Sequence, residues 1–340
     1  MRTWIIGLFL AGALAAADTP VEIKMATLAP EGSPWHKVLE RMGERWRVLS
    51  NGQVRLKIFA GGTLGDEPDL VNKMKINQIQ AVALTGAGMG EIDKGVMALQ
   101  LPMMIESYPE LDYVRDRLAP KLEQRINQAG FVVLSWGDAG WVHFFSRQQA
   151  LHPDDLKKLK LFTWAGGTDE LELWKANGFR PVPLAATDIL MGLETGLIDA
   201  VPTVPLYALW NQCFGLAHYM NDIKWAPLVG ATMVSRKAWD RVPEALRPKM
   251  LEAAKQFGDD LRGGIRKMGD DAIATMVAGV AGKRATKLTV VHADDAVAAE
   301  WHKAVEGVYP TIRGRIVPAD LFDEAKRYHD EFRARGGARK

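Results

Sequence analysis

The chain has 340 residues, 48% hydrophobic and 25% charged, with a formal net charge of +2. That is length for two ordinary domains and apolar content for a full core. It supplies no basic field to hold a nucleic-acid backbone, so no nucleic-acid partner is expected.

The N-terminus has its own texture. Arg2 precedes a charge-free apolar run over 4–14, then Ala15, Ala16 and Ala17, then polar residues from Asp18. This order predicts a secretory signal peptide over 1–17, cut after Ala17, and a periplasmic destination. The run is well short of the roughly 20 apolar residues that span a bilayer. The single cysteine, Cys213, can make neither an internal disulfide nor a multi-cysteine metal site, and reads as a buried apolar residue.

Strand-like and helix-like segments then alternate. Residues 21–26 alternate apolar and polar as a strand does. A loop over 28–34 follows, with Ser33 placed to cap a helix and Pro34 suited to its first turn. Trp35, Val38, Leu39, Met42, Trp46 and Leu49 recur at helical spacing until Asn51-Gly52. Residues 54–60 predict a strand, 61–65 a loop, 69–77 a helix, 81–84 a strand, and 86–90 a glycine loop. A helix is expected over 109–129, closed by Gly130. Residues 131–136 and 141–146 read as two strands, with Gly137 to Gly140 as a turn between them. Strands at 160–164 and 180–183 alternate with helices at 169–177 and 187–195. A helical spacing then persists over 244–281, long enough to touch two lobes, with Gly263-Gly264 as a place to bend. A strand at 288–291, helices at 294–309 and 318–335, and a frayed basic tail complete the chain. The alternation predicts an α/β fold with mostly parallel sheets.

Few constellations carry chemistry. None of the seven histidines sits in a close ligand pair, so no metal or other cofactor is expected. The loop Gly86-Ala87-Gly88-Met89-Gly90 has Glu91 where a dinucleotide fingerprint needs its third glycine. Adjacent acids such as Asp259/Asp260 do not flank a substrate from two sides. Asp138 and His143 as acid and base would make a periplasmic enzyme; the main reading is not an enzyme. Eleven tryptophans are more informative. Trp136, Trp141 and Trp164 flank strand ends, and Tyr207 and Trp210 follow a proline-rich segment. Together they read either as core or as the walls of an apolar cleft.

Several stretches, in order, resemble the extracytoplasmic solute receptors of tripartite ATP-independent periplasmic (TRAP) transporters, the DctP-type family. They are 25–36 (MATLAPEGSPWH), 59–66 (FAGGTLGD), Leu101-Pro102, 155–160 (DLKKLK), 181–183, 192–200 (GLETGLIDA) and 235–240 (SRKAWD). The resemblance implies a two-lobed periplasmic binding protein-like fold with hinge strands and a long lobe-spanning helix. It implies lobe I over 18–142 plus 228–262, lobe II over 143–227 plus 263–332, and a disordered tail over 333–340. It also implies a monomer that captures a small molecule and hands it to a small DctQ-type and a large DctM-type membrane subunit. A signalling receptor using the same capture is the alternative. Family members usually carry a ligand-gripping arginine where this chain has Phe162, and often a second where it has Val142. A simple organic acid is therefore not expected in the usual pose. The expected contacts are Pro30, Trp35, Thr85, Met89, Trp136, Asp138, Trp141, Phe162, Trp164, Thr203, Tyr207 and Trp210. Asp138 is the expected acceptor for a ligand donor.

Overall fold

A computed structural model describes residues 20–280 and 287–336. The expected signal peptide over 1–17, the end of the expected long helix at 281 and the last four tail residues lie outside the described residues.

The first lobe is built on β1 (Val21–Thr27), which pairs in parallel with β2 (Val54–Phe59) on one side and β3 (Ala81–Thr85) on the other. Helix α1 (Pro34–Leu49) connects β1 to β2. Ser33 Oγ accepts a hydrogen bond from His36 N, and Val38, Leu39, Met42 and Trp46 turn inward. Helix α2 (Glu67–Lys75) leads to β3. The expected glycine loop is instead one helical turn, α3 (Gly86–Gly90). Its start is fixed by acceptors: Thr85 Oγ1 receives Ala87 N, and the Glu67 carboxylate receives Gly88 N.

After α4 (Tyr108–Gln128) comes β4 (Phe131–Ser146), a single strand where two strands and a turn were expected. It runs antiparallel to β9 (Ala226–Ser235), with register shifts between Val133 and Ser135 and between Asp138 and Trp141. The glycines serve a bulge rather than a reversal: Gly140 takes φ +106° and β9 goes on offering partners beyond it. β9 also lies antiparallel to β3.

The far end of β4 enters the second lobe. There it pairs with β7 (Ala200–Thr203), followed across the sheet by β5 (Lys160–Trp164) and β6 (Arg180–Leu184). The parallel blocks β2-β1-β3 and β7-β5-β6 expected from the alternation are thus joined through the antiparallel β9-β4 pair. Short strands β8 (Tyr219–Asn221) and β10 (Thr289–Val291) pair beside β4. Cys213 is buried in this lobe's core with Phe145, Phe162 and Met220, and burial pushes its thiol up to about 12.

Helix α10 (Arg247–Ala278) runs unbroken through Gly263-Gly264. Met250 and Ala254 pack with the first lobe, Ile265 and Ala272 against Leu206, and Met276 with the second lobe. Helices α12 (Tyr309–Arg315) and α13 (Ala319–Ala334), expected beside the second lobe, pack on the first. Leu321, Phe322 and Ala325 share a core with Leu111 and Val114 of α4. Glu110 receives His329 Nδ1 and Arg333 Nε of α13, each at 2.8 Å.

Gly258 lets α10 lie directly on β4, since a Cβ there would stand 2.7 Å from Ser135 Cβ and 3.1 Å from Trp136 O. Replacing a helical glycine gains about 1 kcal/mol of propensity, whereas overpacking costs about 1–3 kcal/mol. A β-branched side chain is a poor helix former and the larger intrusion. Gly258→Val is therefore expected to lower stability by about 2 kcal/mol in urea unfolding.

Candidate functional site: the cleft between the lobes

The C-terminal ends of β1, β3, β5 and β7 face one another across β4 and β9. This is the edge at which open α/β sheets take ligands. They enclose a cleft of about 1050 Å³, its mouth included. The first lobe contributes Pro30, Trp35, Leu39, Glu67 and Thr85. The second contributes Trp164, Ile189, Thr203 and Tyr207. The floor comes from β4 (Ser135 to Ala139), β9 (Leu228 to Thr232), and Gly258 and Leu261 of α10. The walls are mostly apolar, and among the described residues no lysine, arginine or histidine lines them.

Eight of the twelve expected contacts meet here: Pro30, Trp35, Thr85, Trp136, Asp138, Trp164, Thr203 and Tyr207. The other four do not line this space. Met89 is buried in the first lobe's core. Trp141 stacks at a tilt on Tyr108, with Lys224 Nζ over its ring. Trp210 stands at the surface, 42% exposed. Phe162 is fully buried in the second lobe's core and edges an adjoining cavity. Trp136 lines the cleft, but its indole N–H is taken, donating to Glu123 at 2.8 Å.

Asp138 is not the free acceptor that the sequence predicted. Its Oδ2 receives Arg266 Nη2 at 2.7 Å, and the same guanidinium bonds Asp112 through Nη1 and Nη2, each at 2.7 Å. The Tyr108 ring lies 4.4 Å beneath that guanidinium. The charge on Asp138 is therefore matched within the protein. His143 lies five residues farther along the same strand, roughly 15 Å away at strand rise. Burial pushes its imidazole down to about 4, and its Nδ1 has no partner. An acid–base pair from Asp138 and His143 has no support in this geometry.

The sequence reading missed Glu67. It sits in the first turn of α2, where a carboxylate reads as a partner for the helix dipole. Folding carries it 18 residues away to Thr85. Oε1 receives Thr85 N at 2.8 Å; Oε2 receives Thr85 Oγ1 at 2.8 Å and Gly88 N at 2.7 Å. Burial nonetheless outweighs these donors and raises its carboxyl to about 7. The floor residues from β9 and α10 were missed as well. β9 carries no polar alternation, being covered on both faces, and so gives no strand signal.

One cleft between two α/β lobes, crossed by paired strands and overlaid by one long helix, defines a two-lobed periplasmic binding protein-like receptor. Among the described residues no helix is long and apolar enough to cross a membrane. Residues 25–313 match the family model of DctP, bacterial extracellular solute-binding protein, family 7. The chain belongs to that family and is a TRAP-type periplasmic solute-binding receptor. It is 21% identical over 271 residues to the 2,3-diketo-L-gulonate-binding periplasmic protein YiaO of Escherichia coli, covering 76% of this chain and 80% of that one. The solved sugar acid binding protein DctPAm of Advenella mimigardefordensis, in complex with galactonate, superimposes with a TM-score of 0.84 at 17% identity. That match covers 92% of this chain and 99% of the other. A TRAP solute binding protein of Sulfurospirillum deleyianum with bound succinate gives 0.80 at 20% identity, covering 90% and 98%.

Glu67 is expected to contribute a pH dependence to the fold, and its sign follows from the raised carboxyl. Its folded value, about 7, lies above its ordinary 4.5. The native state therefore keeps a proton that the unfolded chain releases. The contribution is fully present below about 4.5 and is lost as pH rises toward 7. Buried His143, pushed down to about 4, contributes a rise over nearly the same window, so the slope is read as a difference in thermal unfolding: the Tm of the wild type minus that of Glu67→Gln should fall as pH rises from about 4.5 to 7.

Proposed function

We propose that this receptor captures a small molecule with apolar or aromatic surface and no free carboxylate, and passes it unaltered to membrane subunits. One observation carries the ligand class. Among the described residues the cleft holds no cationic side chain, and Phe162 stands where the family resemblance places the ligand-gripping arginine. A carboxylate buried in such walls would lose several kcal/mol for want of a partner. The relatives with galactonate and succinate bind acids, so this chain would depart from them in ligand and not in fold.

The rest of the reading follows the family. Residues 1–17 direct export and are removed after Ala17. The mature chain acts as a monomer, and its two lobes close over the guest about the β4–β9 hinge. The lobe division is the one the resemblance implies, with α12 and α13 moved to the first lobe. The closed form docks on a small DctQ-type and a large DctM-type subunit. Closure is the signal, because only the liganded shape fits.

Mass spectrometry of small molecules released from the purified protein should return an uncharged species with apolar or aromatic surface. In a thermal-shift screen, succinate, D-glucuronate and sialic acid should leave the Tm unchanged at millimolar concentration. A Tm rise of several degrees with any of these would sink the ligand assignment.

A further inference from the structure

Two further cavities adjoin the cleft and share lining residues with it in turn. Trp164, Pro202, Thr203 and Leu228 line the cleft and also line a second inter-lobe cavity of about 1710 Å³, its open mouth included. Met97, Gln100, Glu170, Trp174 and Trp225 line that cavity and also a third, of about 1200 Å³. The third is walled by aromatic rings in mutual contact. Trp174 lies 4.7 Å from Phe179 and 5.4 Å from Trp225, and Trp225 lies 6.0 Å from Trp301. Its roof is α6 (Thr168–Ala176), a helix that fully buries none of its own side chains. The roof belongs to the second lobe but is tied to the first. Asp169 receives Lys94 Nζ at 2.7 Å and Arg315 Nε at 3.2 Å.

Two features at the β5 tip, beside the second cavity, point to a guest. Thr163 Oγ1 and Trp164 Nε1 are buried there with no hydrogen-bond partner. Thr163 as a whole is 7% exposed. Such groups are rarely left unpaired. The two lysines lining these cavities, Lys94 and Lys157, are each held by an aspartate, at 2.7 and 2.8 Å. No cation is left over for an anionic ligand among the residues lining these three spaces.

We infer that the ligand is an elongated, uncharged amphiphile: one hydroxyl or carbonyl oxygen on an extended apolar skeleton. The oxygen sits at the β5 tip, accepting from the Trp164 indole N–H and meeting the Thr163 hydroxyl. The skeleton runs on to the aromatic chamber beneath α6. This rests on the receptor reading and narrows its ligand class.

The test uses the full mature chain with 1-hexanol, 1-decanol and decanoate as probes, titrated by calorimetry and tryptophan fluorescence. Decanol is expected to bind at least tenfold tighter than hexanol, since four more methylenes leave water. Decanoate should bind at least tenfold more weakly than decanol. Ala304→Trp, a change on the exposed face of α11 (Asp295–Glu306) that projects into the third chamber, should erase the gain from chain length. Trp164→Phe keeps an aromatic ring, though a smaller one, and removes the N–H; it should weaken hexanol and decanol alike, at least fivefold, and leave their ratio unchanged. Equal affinity for hexanol and decanol overturns the proposal, as does decanoate binding as tightly as decanol or an Ala304→Trp protein that keeps the full gain. If alkanols fail while a compact solute raises the Tm, the amphiphile falls and the receptor reading stands. If no solute narrows the protein in solution scattering, the receptor reading falls as well.

Discussion

The structure depends on the pairing of β4 with β9, which continues across two bulges. Sixteen residues of β4 pass from one lobe into the other, and β9 accompanies them from Val142 back to Phe131. A covalent link alone would leave the lobes free to wander. A hydrogen-bonded ladder restricts them to bending about one line. The two register shifts sit within that line, where an unpaired residue lets a strand bend without breaking. Helix α10 lies along the same path and contributes to the core of both lobes, and Gly258 sets how near it comes. The Asp112–Arg266–Asp138 cluster joins α4, α10 and β4 at this point. Asp138 is thus better understood as part of the hinge than as part of the ligand's surroundings.

Much of this was legible in the sequence, for reasons that can be named. α1 announces itself through Ser33, Pro34 and apolar residues at helical spacing. The parallel strands are short runs between such helices. What failed was reading the chain locally where pairing decides. Gly137-Asp138-Ala139-Gly140 has turn composition, but a partner strand on the far side of the bulge held it extended. Gly86 to Gly90 has loop composition, but Thr85 and Glu67 supplied the acceptors that start a helix. α13 was assigned to the wrong neighbour because an apolar stripe tells which face is buried and not against what.

The site was legible to a similar degree. Residues at strand-to-loop junctions, such as Thr85, Trp164 and Thr203, converge because the C-terminal ends of the parallel strands β3, β5 and β7 face the cleft. Residues singled out for being aromatic fared less evenly. Trp141 and Trp210 share the composition signal of Trp35 and Trp164 but not their place on the edge. Glu67 was invisible because its role comes from hydrogen bonds across 18 residues of chain.

An apolar guest also fits the energetics of closing. Among the described residues the direct polar ties between the lobes include the exposed Arg315–Asp169 pair and the Met103 N–Trp225 O hydrogen bond. Lys94–Asp169 is a partly exposed pair, about 0–1 kcal/mol. The buried Asp66 receives Ala186 N across the gap at 2.9 Å, a charge-assisted bond of about 1.5–3 kcal/mol. Against these stands the dewetting of a cleft whose apolar walls have nothing to touch while it is empty. Moving an open–closed equilibrium from 1:99 to 99:1 takes about 5.5 kcal/mol. At about 25 cal/mol per Å², that is some 220 Å² of apolar surface, comparable to one large aromatic group. A guest of that size reaches the threshold without any ion pair. Its charge is therefore free to be zero, provided that its surface touches both lobes at once. Trp35 and Leu39 from one side, and Trp164 and Tyr207 from the other, are the surfaces that make such a guest count.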